Sequence, residues 1–319
     1  MKNDRITTVL DLPARVDPTH HYILDAYDNA LRQILEQGVE HTNQRTGFRT
    51  KSIFGITSRY NLTNVFPIVT RRKVWPKAIW AELLWFISGS TCNKDLQALR
   101  SNIWTPWVDS EFEQRHGYAA GCFGPVYGFQ LRHLGGHYGN GIGGDAYTIG
   151  NSVNNENTYG KGGFDQLAWM IDCIKADPSS RRLLFMLWNP KDISRMKLPP
   201  CHYTYQVLID DAGCMTGIMT QRSGDYYIGC CANVQFYSAL TMMIAQQTGY
   251  TAYEFVHEVH DSHIYMNQIE AVEKYLSSPV IDSPVLQINK AKDIFSYTMD
   301  DFVLENYQHG PVISAPVAV

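Results

Sequence analysis

Between Asn233 and Gln247 the chain carries a helical pattern that is apolar on most sides, with Phe236, Leu240, Met243 and Ile244 spread around it and Gly249 to close it. A helix without a polar face cannot lie on a surface, so the remaining chain must be built around it as a central element. The 319 residues supply the material. Hydrophobic residues make up 45% and charged residues 18%, a globular balance that excludes disorder, a collagen-like repeat and a coiled-coil rod.

What surrounds the helix is read from local signals. Asp17 and Pro18 open a helix whose face is Ile23, Tyr27, Leu31, Ile34 and Leu35, ending at Gly38. Two short strands, 52–56 and 59–62, are expected to meet at Gly55. Pro76 starts a second helix that runs through Phe86 and Ile87 to Gly89; it is apolar nearly all round except for Glu82, a carboxylate that must be satisfied by something. Residues 135–163 are rich in Gly, Asn and Tyr and read as a long surface loop. A helix over 164–175 and a buried strand over 182–188 follow. Strands over 203–209 and 215–221 flank Asp210-Asp211-Ala212-Gly213 as a hairpin. Strands follow strands with helices interspersed and no βαβ alternation, which predicts one α+β domain over 1–319.

The net charge of −4 gives no basic excess, so a nucleic-acid partner is not expected, while a local pocket for a small phosphate stays open. No apolar run approaches the roughly 18 residues of a membrane span, and the first fifteen residues lack the apolar middle of a signal peptide, so no membrane association is expected. Seven cysteines without regular spacing predict reduced thiols and a cytoplasmic protein.

Several strings carry possible chemistry. Gly139-Asn140-Gly141-Ile142-Gly143-Gly144 matches GxGxxG but lacks the flanking strand and helix of a dinucleotide site, and reads as loop. His257, His260 and His263 are three apart, not four, with no Cys-x-x-Cys nearby, so buried or ligand-bonding histidines are expected rather than a metal site. In Pro199-Pro200-Cys201-His202 two prolines hold the backbone extended where a strand begins, a setting for a nucleophile. A thiol with an ordinary pKa near 8.5 then needs cations or donors close by. Arg181-Arg182 and Gln221-Arg222-Ser223 offer them, and Arg222 with Ser223 combines a fork and a hydroxyl suited to one phosphate. On the expected strand Arg181 and Arg182 point to opposite faces, so both serving one subunit's site is awkward; a site shared across a dimer resolves this, and a surface pair is the alternative.

These residues, in order and spacing, resemble the thymidylate synthase family: 198–202 (Leu-Pro-Pro-Cys-His), 221–225 (Gln-Arg-Ser-Gly-Asp), Asn233, and 261–267 (Asp-Ser-His-Ile-Tyr-Met-Asn). The match extends through Arg45-Thr46-Gly47, 82–86, Ile103-Trp104, 124–128 and 177–182 to the terminal Ala-Pro-Val-Ala-Val. The resemblance implies a three-layer α/β fold with a mixed sheet and a buried central helix, and a homodimer whose sites are shared. It implies a pyrimidine nucleoside monophosphate bound by Arg45, Gln221, Arg222, Ser223, Asn233, His263 and Tyr265, with Arg181 and Arg182 reaching in from the second copy. Cys201 would add to ring carbon 6, with Glu82, Tyr127, His202 and Asp225 handling protons and position. The co-substrate, 5,10-methylenetetrahydrofolate, would meet Asp225, Trp104, Trp107, Leu198, Gly229 and Ala318.

The sequence departs from the family around the folate. Cys231-Ala232-Asn233 replaces Pro-Phe-Asn, His260 stands at a glycine position, Gln268 replaces His, Trp75 stands where some members have a folate-facing histidine, and Thr105 replaces Asp. Three functions are therefore weighed. The first is methylation of dUMP to dTMP with release of dihydrofolate. The second is hydroxymethylation of dUMP, dCMP or CMP with release of tetrahydrofolate. The third is a silent nucleotide- or RNA-binding relative. Asn233, expected to open the central helix, carries an amide that matches uracil's carbonyl and ring N–H, unless it merely caps the helix.

Overall fold

Six strands form one mixed sheet in a computed structural model that describes residues 24–44, 47–139 and 162–317. They are β1 (Val39–Thr42), β2 (Arg49–Asn61), β3 (Leu184–Met186), β4 (His202–Ile209), β5 (Cys214–Asp225) and β6 (Thr251–Tyr265), in the order β1-β2-β6-β5-β4-β3. Every neighbouring pair is antiparallel except β5 and β6. A parallel pair needs a crossover, and the central helix α7 (Cys231–Thr248) supplies it. The expectation of no βαβ unit is thus corrected at this one place, which is where the site forms.

The helices ahead of α7 include α2 (Pro76–Ile87), α3 (Asn93–Ala98), α4 (Ser110–His116), α5 (Tyr127–His133) and α6 (Gln166–Ala176); α7 packs on β5 and β6 on one side and on α2 on the other, with α5 beyond α2. Sheet, central helix and outer helices make the three layers. The sheet approaches closely because β5 has no side chain at Gly217, where a Cβ would lie 2.3 Å from Thr241 Oγ1 of α7. A π-helical turn, Tyr226–Cys230, runs directly into α7, and together they span Tyr226–Thr248, long and apolar enough to cross a membrane by length and composition. The expectation of no such run therefore fails. Most of this segment is buried inside the fold, so the apolar length serves the core.

Other local expectations are revised. The two strands predicted around Gly55 are one strand, β2, paired along β6 on both sides of that glycine, whose φ of +83° absorbs the irregularity. The strand expected over 182–188 shrinks to β3, and Arg181 and Arg182 sit exposed in the turn before it, not on opposite faces of a strand. The first helix, α1 (Asp25–Gln37), keeps the predicted face of Tyr27, Leu31 and Ile34, while Asp17, Pro18 and Ile23 lie outside the described residues. Most of the 135–163 loop, all of the GxGxxG string but Gly139, and Arg45 and Ala318 also lie outside them. Cys92 and Cys122 are joined by a disulfide, against the expectation of reduced thiols throughout; an isolated bridge pairs the two segments and brings the side chains together. Five described cysteines, Cys201 among them, are free.

Candidate active site

The hairpin predicted around 210–213 brings Cys201, at the start of β4, beside Arg222 near the end of β5. The Arg222 N–H donates to the Cys201 carbonyl at 2.8 Å. Its guanidinium donates to the carbonyls of Pro200 (2.8 Å) and Pro199 (2.9 Å) and lies 3.6 Å from Cys201 Sγ, over the Trp188 ring. With both carbonyls held by its guanidinium, one arginine straps the Pro-Pro segment and sets its charge against the sulfur. Cys201 is partly buried, and its own N–H donates to the Tyr127 hydroxyl at 2.8 Å.

His202, one residue on, turns into the core. Its Nδ1 bonds the Tyr237 hydroxyl at 2.7 Å, and its ring stacks on Tyr127 at 4.5 Å. Burial depresses its pKa to about 3, so the ring is neutral and forms the wall behind Tyr127 and Cys201. The same burial pushes the Tyr127 phenol well above its ordinary range, which keeps its proton in place.

Glu82 projects from the otherwise apolar α2. Desolvation raises its pKa to about 7, opposed by the Trp104 indole N–H, which donates to Oε1 at 2.5 Å. Among the described residues no cation pairs with it, so this carboxyl is poised to gain and lose a proton near neutrality. On α2 the positions Ile79, Glu82 and Phe86 recur at three and four residues and share one face, and Trp75 immediately precedes the helix. Phe86 stacks on Tyr127 at 4.8 Å, and Trp75, at the other end, is 58% exposed with the Lys73 ammonium 6.0 Å over its ring. Trp107 packs on Trp104 at 6.0 Å, and Leu198 packs partly buried on the core.

A buried amide network orients Asn233. Gln221 Oε1 accepts from Asn233 Nδ2 (3.0 Å) and from His257 Nε2 (2.9 Å), while Gln221 Nε2 donates to the Ser223 carbonyl (2.9 Å). His257 is fully buried with a pKa depressed to about 3, hence a neutral donor. Asn233 does not open the helix. It is the third residue of α7, the preceding π turn is capped by Asp225, and the helix-cap alternative for Asn233 falls away. Alongside, Ser223 Oγ donates to Asp261 Oδ2 at 3.3 Å, and His263 lies 3.5 Å from the same oxygen. Burial is the largest single influence and disfavours a charged His263, but the Asp261 hydrogen bond and charge together with the Asp225 charge outweigh it and raise the pKa. Tyr265 meets the His263 ring edge-on at 5.1 Å.

Asp225 ends β5. Its Oδ1 accepts from the N–H groups of Tyr227 and Ile228, and its Oδ2 accepts from Gln268 Nε2 at 2.9 Å. Gly224 permits this corner, since a Cβ there would lie 2.5 Å from Cys230 Sγ. Gly229 lies in the π turn close to Asp225, where a Cβ would meet only Asp225 Cβ at 3.8 Å. His260 is exposed and edges the Tyr203 ring, on the opposite side of β6 from its buried neighbour Val259. The histidine at the glycine position therefore stays out of this cavity, and His257, His260 and His263 do not converge. Among the described residues no three His, Cys, Asp or Glu side chains gather to hold a metal ion.

Arg181 and Arg182 are the residues the fold keeps apart from the rest. The Arg181 carbonyl accepts from Gln206, well along β4 from Cys201; at about 3.3 Å per residue the pair stands roughly 15–20 Å from the thiol. Sequence reasoning missed the role of His257 in holding Gln221 and of Gln268 in holding Asp225. The departure at 268 marked the second, while nothing local marked the first.

A family model described as thymidylate synthase matches residues 25–319. This chain belongs to the thymidylate synthase family. Among curated relatives, the thymidylate synthases of varicella-zoster virus strain Dumas and of the Oka vaccine strain are each 38% identical over 297 residues, covering 92% of this chain and 93% of theirs. As a member of the thymidylate synthase family it is an enzyme, a methyltransferase of pyrimidine nucleotide biosynthesis, and the family works with a folate co-substrate. The mixed sheet, buried α7 and outer helices accord with the thymidylate synthase fold that the sequence resemblance implied.

Proposed function

We propose that this enzyme methylates carbon 5 of dUMP, giving dTMP and dihydrofolate, through a covalent adduct on Cys201. The carrying observation is the pinned amide of Asn233. With one N–H committed to Gln221, whose acceptor oxygen is fixed by His257, Asn233 presents its carbonyl and its second N–H. A donor beside an acceptor complements the ring N–H and the carbonyl of uracil, and mismatches the exocyclic amine of cytosine.

Cys201 adds to ring carbon 6 as its thiolate, with the Arg222 charge beside it and the Tyr127 hydroxyl holding its backbone. Addition at carbon 6 makes carbon 5 the nucleophile, and the folate co-substrate supplies the one-carbon unit and the hydride. Tyr127 keeps its own proton, so it cannot accept the one that leaves carbon 5; it hydrogen-bonds and orients the water that carries that proton away. Glu82 exchanges a proton with the base at neutral pH, held by Trp104. His202 keeps Tyr127 in place and does not itself exchange protons.

Residues present fit a folate. Asp225 Oδ2 accepts one hydrogen bond and keeps a lone pair for a ring N–H, and the exposed Trp75 indole just before α2 offers an aromatic surface where Ala232 has taken away the family's Phe. Trp107, Leu198 and Gly229 complete the folate side, to which the family resemblance adds Ala318. Arg45, Arg222 and Ser223 take the phosphate, and Arg181 and Arg182 join it from a second copy, since 15–20 Å is too far for them to serve their own Cys201. The half-exposed Leu184, Met186 and Leu208 near that edge of the sheet support a homodimer built on this face.

Turnover with dUMP and 5,10-methylenetetrahydrofolate, followed at the dihydrofolate absorbance, tests the reaction. Stoichiometric dihydrofolate and dTMP are expected, with Cys201→Ser reducing the rate by several orders of magnitude. Product without dihydrofolate would transfer the assignment to hydroxymethylation, and near-normal Cys201→Ser activity would remove the adduct.

A further inference from the structure

Gln268 follows β6 in a short turn and is fully buried. Both donors of its amide are in use. Nε2 donates at 2.9 Å to Asp225 Oδ2 and at 3.0 Å to the carbonyl of Pro316, and Oε1 faces the Tyr265 N–H at 3.4 Å. The acceptor side fixes the amide's orientation, so its two hydrogens go one to the carboxylate and one to the C-terminal tail. The tail is seated by other contacts further back. Gly310 N–H donates to the Thr70 carbonyl, Lys73 N–H donates to the Pro311 carbonyl, Ile313 is buried, and Ala315 packs on the core. Of the hydrogen bonds around Pro316, the one from Gln268 is the one that reaches the site.

We infer that Gln268 is a positioning residue that latches the C-terminal tail to Asp225, making seating of the tail and orientation of that carboxylate one event. A neutral histidine in its place has one N–H, and a protonated one carries its two on separate ring nitrogens, whereas a primary amide sends both hydrogens from one nitrogen to these two acceptors. Asp225 Oδ1 is held by two backbone donors whatever the tail does, so the latch acts on Oδ2. Burial raises the Asp225 pKa, and the Gln268 bond is the largest influence opposing it. The functional weight of the latch rests on the methyl-transfer function proposed above; its physical existence does not.

The test is amide hydrogen exchange over 312–317 in the full-length protein, alongside dUMP binding and the KM for the folate co-substrate, in Gln268→Leu and Gln268→Glu. The first removes both donors, and the second keeps the shape while facing two acceptors with a third. Loss of the latch bond should speed tail exchange by up to about tenfold. The KM for the folate should rise while dUMP affinity stays within about twofold, since the nucleotide's contacts are untouched. A residue that only satisfies Asp225 would leave tail exchange unchanged. A folded variant with wild-type tail exchange overturns the latch, and so does failure of both variants to fold, which would make Gln268 structural. Exchange is read without turnover, so a lack of dihydrofolate in the wild type would defeat the proposed reaction and leave the latch standing.

Discussion

Glu82→Gln should stabilise the enzyme in a pH-dependent way. Burial moves the Glu82 carboxyl from its ordinary 4.5 to about 7, so the folded state holds this proton over a range in which the unfolded chain has released it. A raised carboxyl pKa means stability is greatest at low pH and is lost as pH climbs from about 4.5 to about 7, above which the loss is complete. Free energy of about 1.36 kcal/mol accompanies each tenfold shift in the proton equilibrium, which puts the loss on the order of 3 kcal/mol, reduced somewhat because Glu82 is not wholly enclosed. Glutamine keeps an oxygen for the Trp104 indole but cannot ionise. The difference in unfolding free energy between Glu82→Gln and wild type should therefore grow between pH 4.5 and 7 and stay level at pH 7–8.5. Urea unfolding of both proteins across that range measures it directly, and other titrating groups cancel in the difference. A difference independent of pH would refute the assignment of a proton held by burial. The same substitution should lower kcat and remove the inflection near pH 7 from its profile.

Two further outcomes follow from the site. Mixing Cys201→Ala with Arg182→Ala protomers, each inactive alone, should restore activity after subunit exchange, measured as dihydrofolate formation; no recovery despite proven exchange would show an unshared site. Wild-type kcat/KM should favour dUMP over dCMP by about tenfold or more, the scale of one unpaired buried polar group. Asn233→Asp should narrow that ratio while costing stability, because it turns an acceptor towards Gln221 Oε1. Equal or better use of dCMP by the wild type would defeat the uracil assignment.

Much of this site was legible in the chain because its signals are local. Pro-Pro before Cys201 dictates an extended approach to a strand, and the Asp-Asp-Ala-Gly turn dictates the hairpin that returns Arg222 to that cysteine. Pro76 and Gly89 bound a helix whose lone carboxylate, Glu82, was conspicuous for want of a polar neighbour. The apolar circumference of 233–247 required a buried helix, and α7 is one. Arg181 and Arg182 were expected on a strand because apolar residues follow them, but β3 has few partners and the chain turns before it.

Tertiary structure alone decided the contacts that give these residues their chemistry. His257 holds Gln221, and through it Asn233, because parallel pairing sets Gln221 of β5 opposite Val259 of β6, two residues beyond His257, a register that only the α7 crossover creates. His260 leaves the cavity because its pleat faces the other way, which depends on where β6 starts. Cys92 meets Cys122 across an isolated bridge, and Gln268 joins Asp225 to Pro316. In each case the partners are far apart in sequence, and no local propensity rewards their meeting. The chain determined which chemistry it could carry through residue types and short spacings; the packing of the sheet against α7 determined which atoms face one another, because register and pleat are properties of pairs of segments and of neither segment alone.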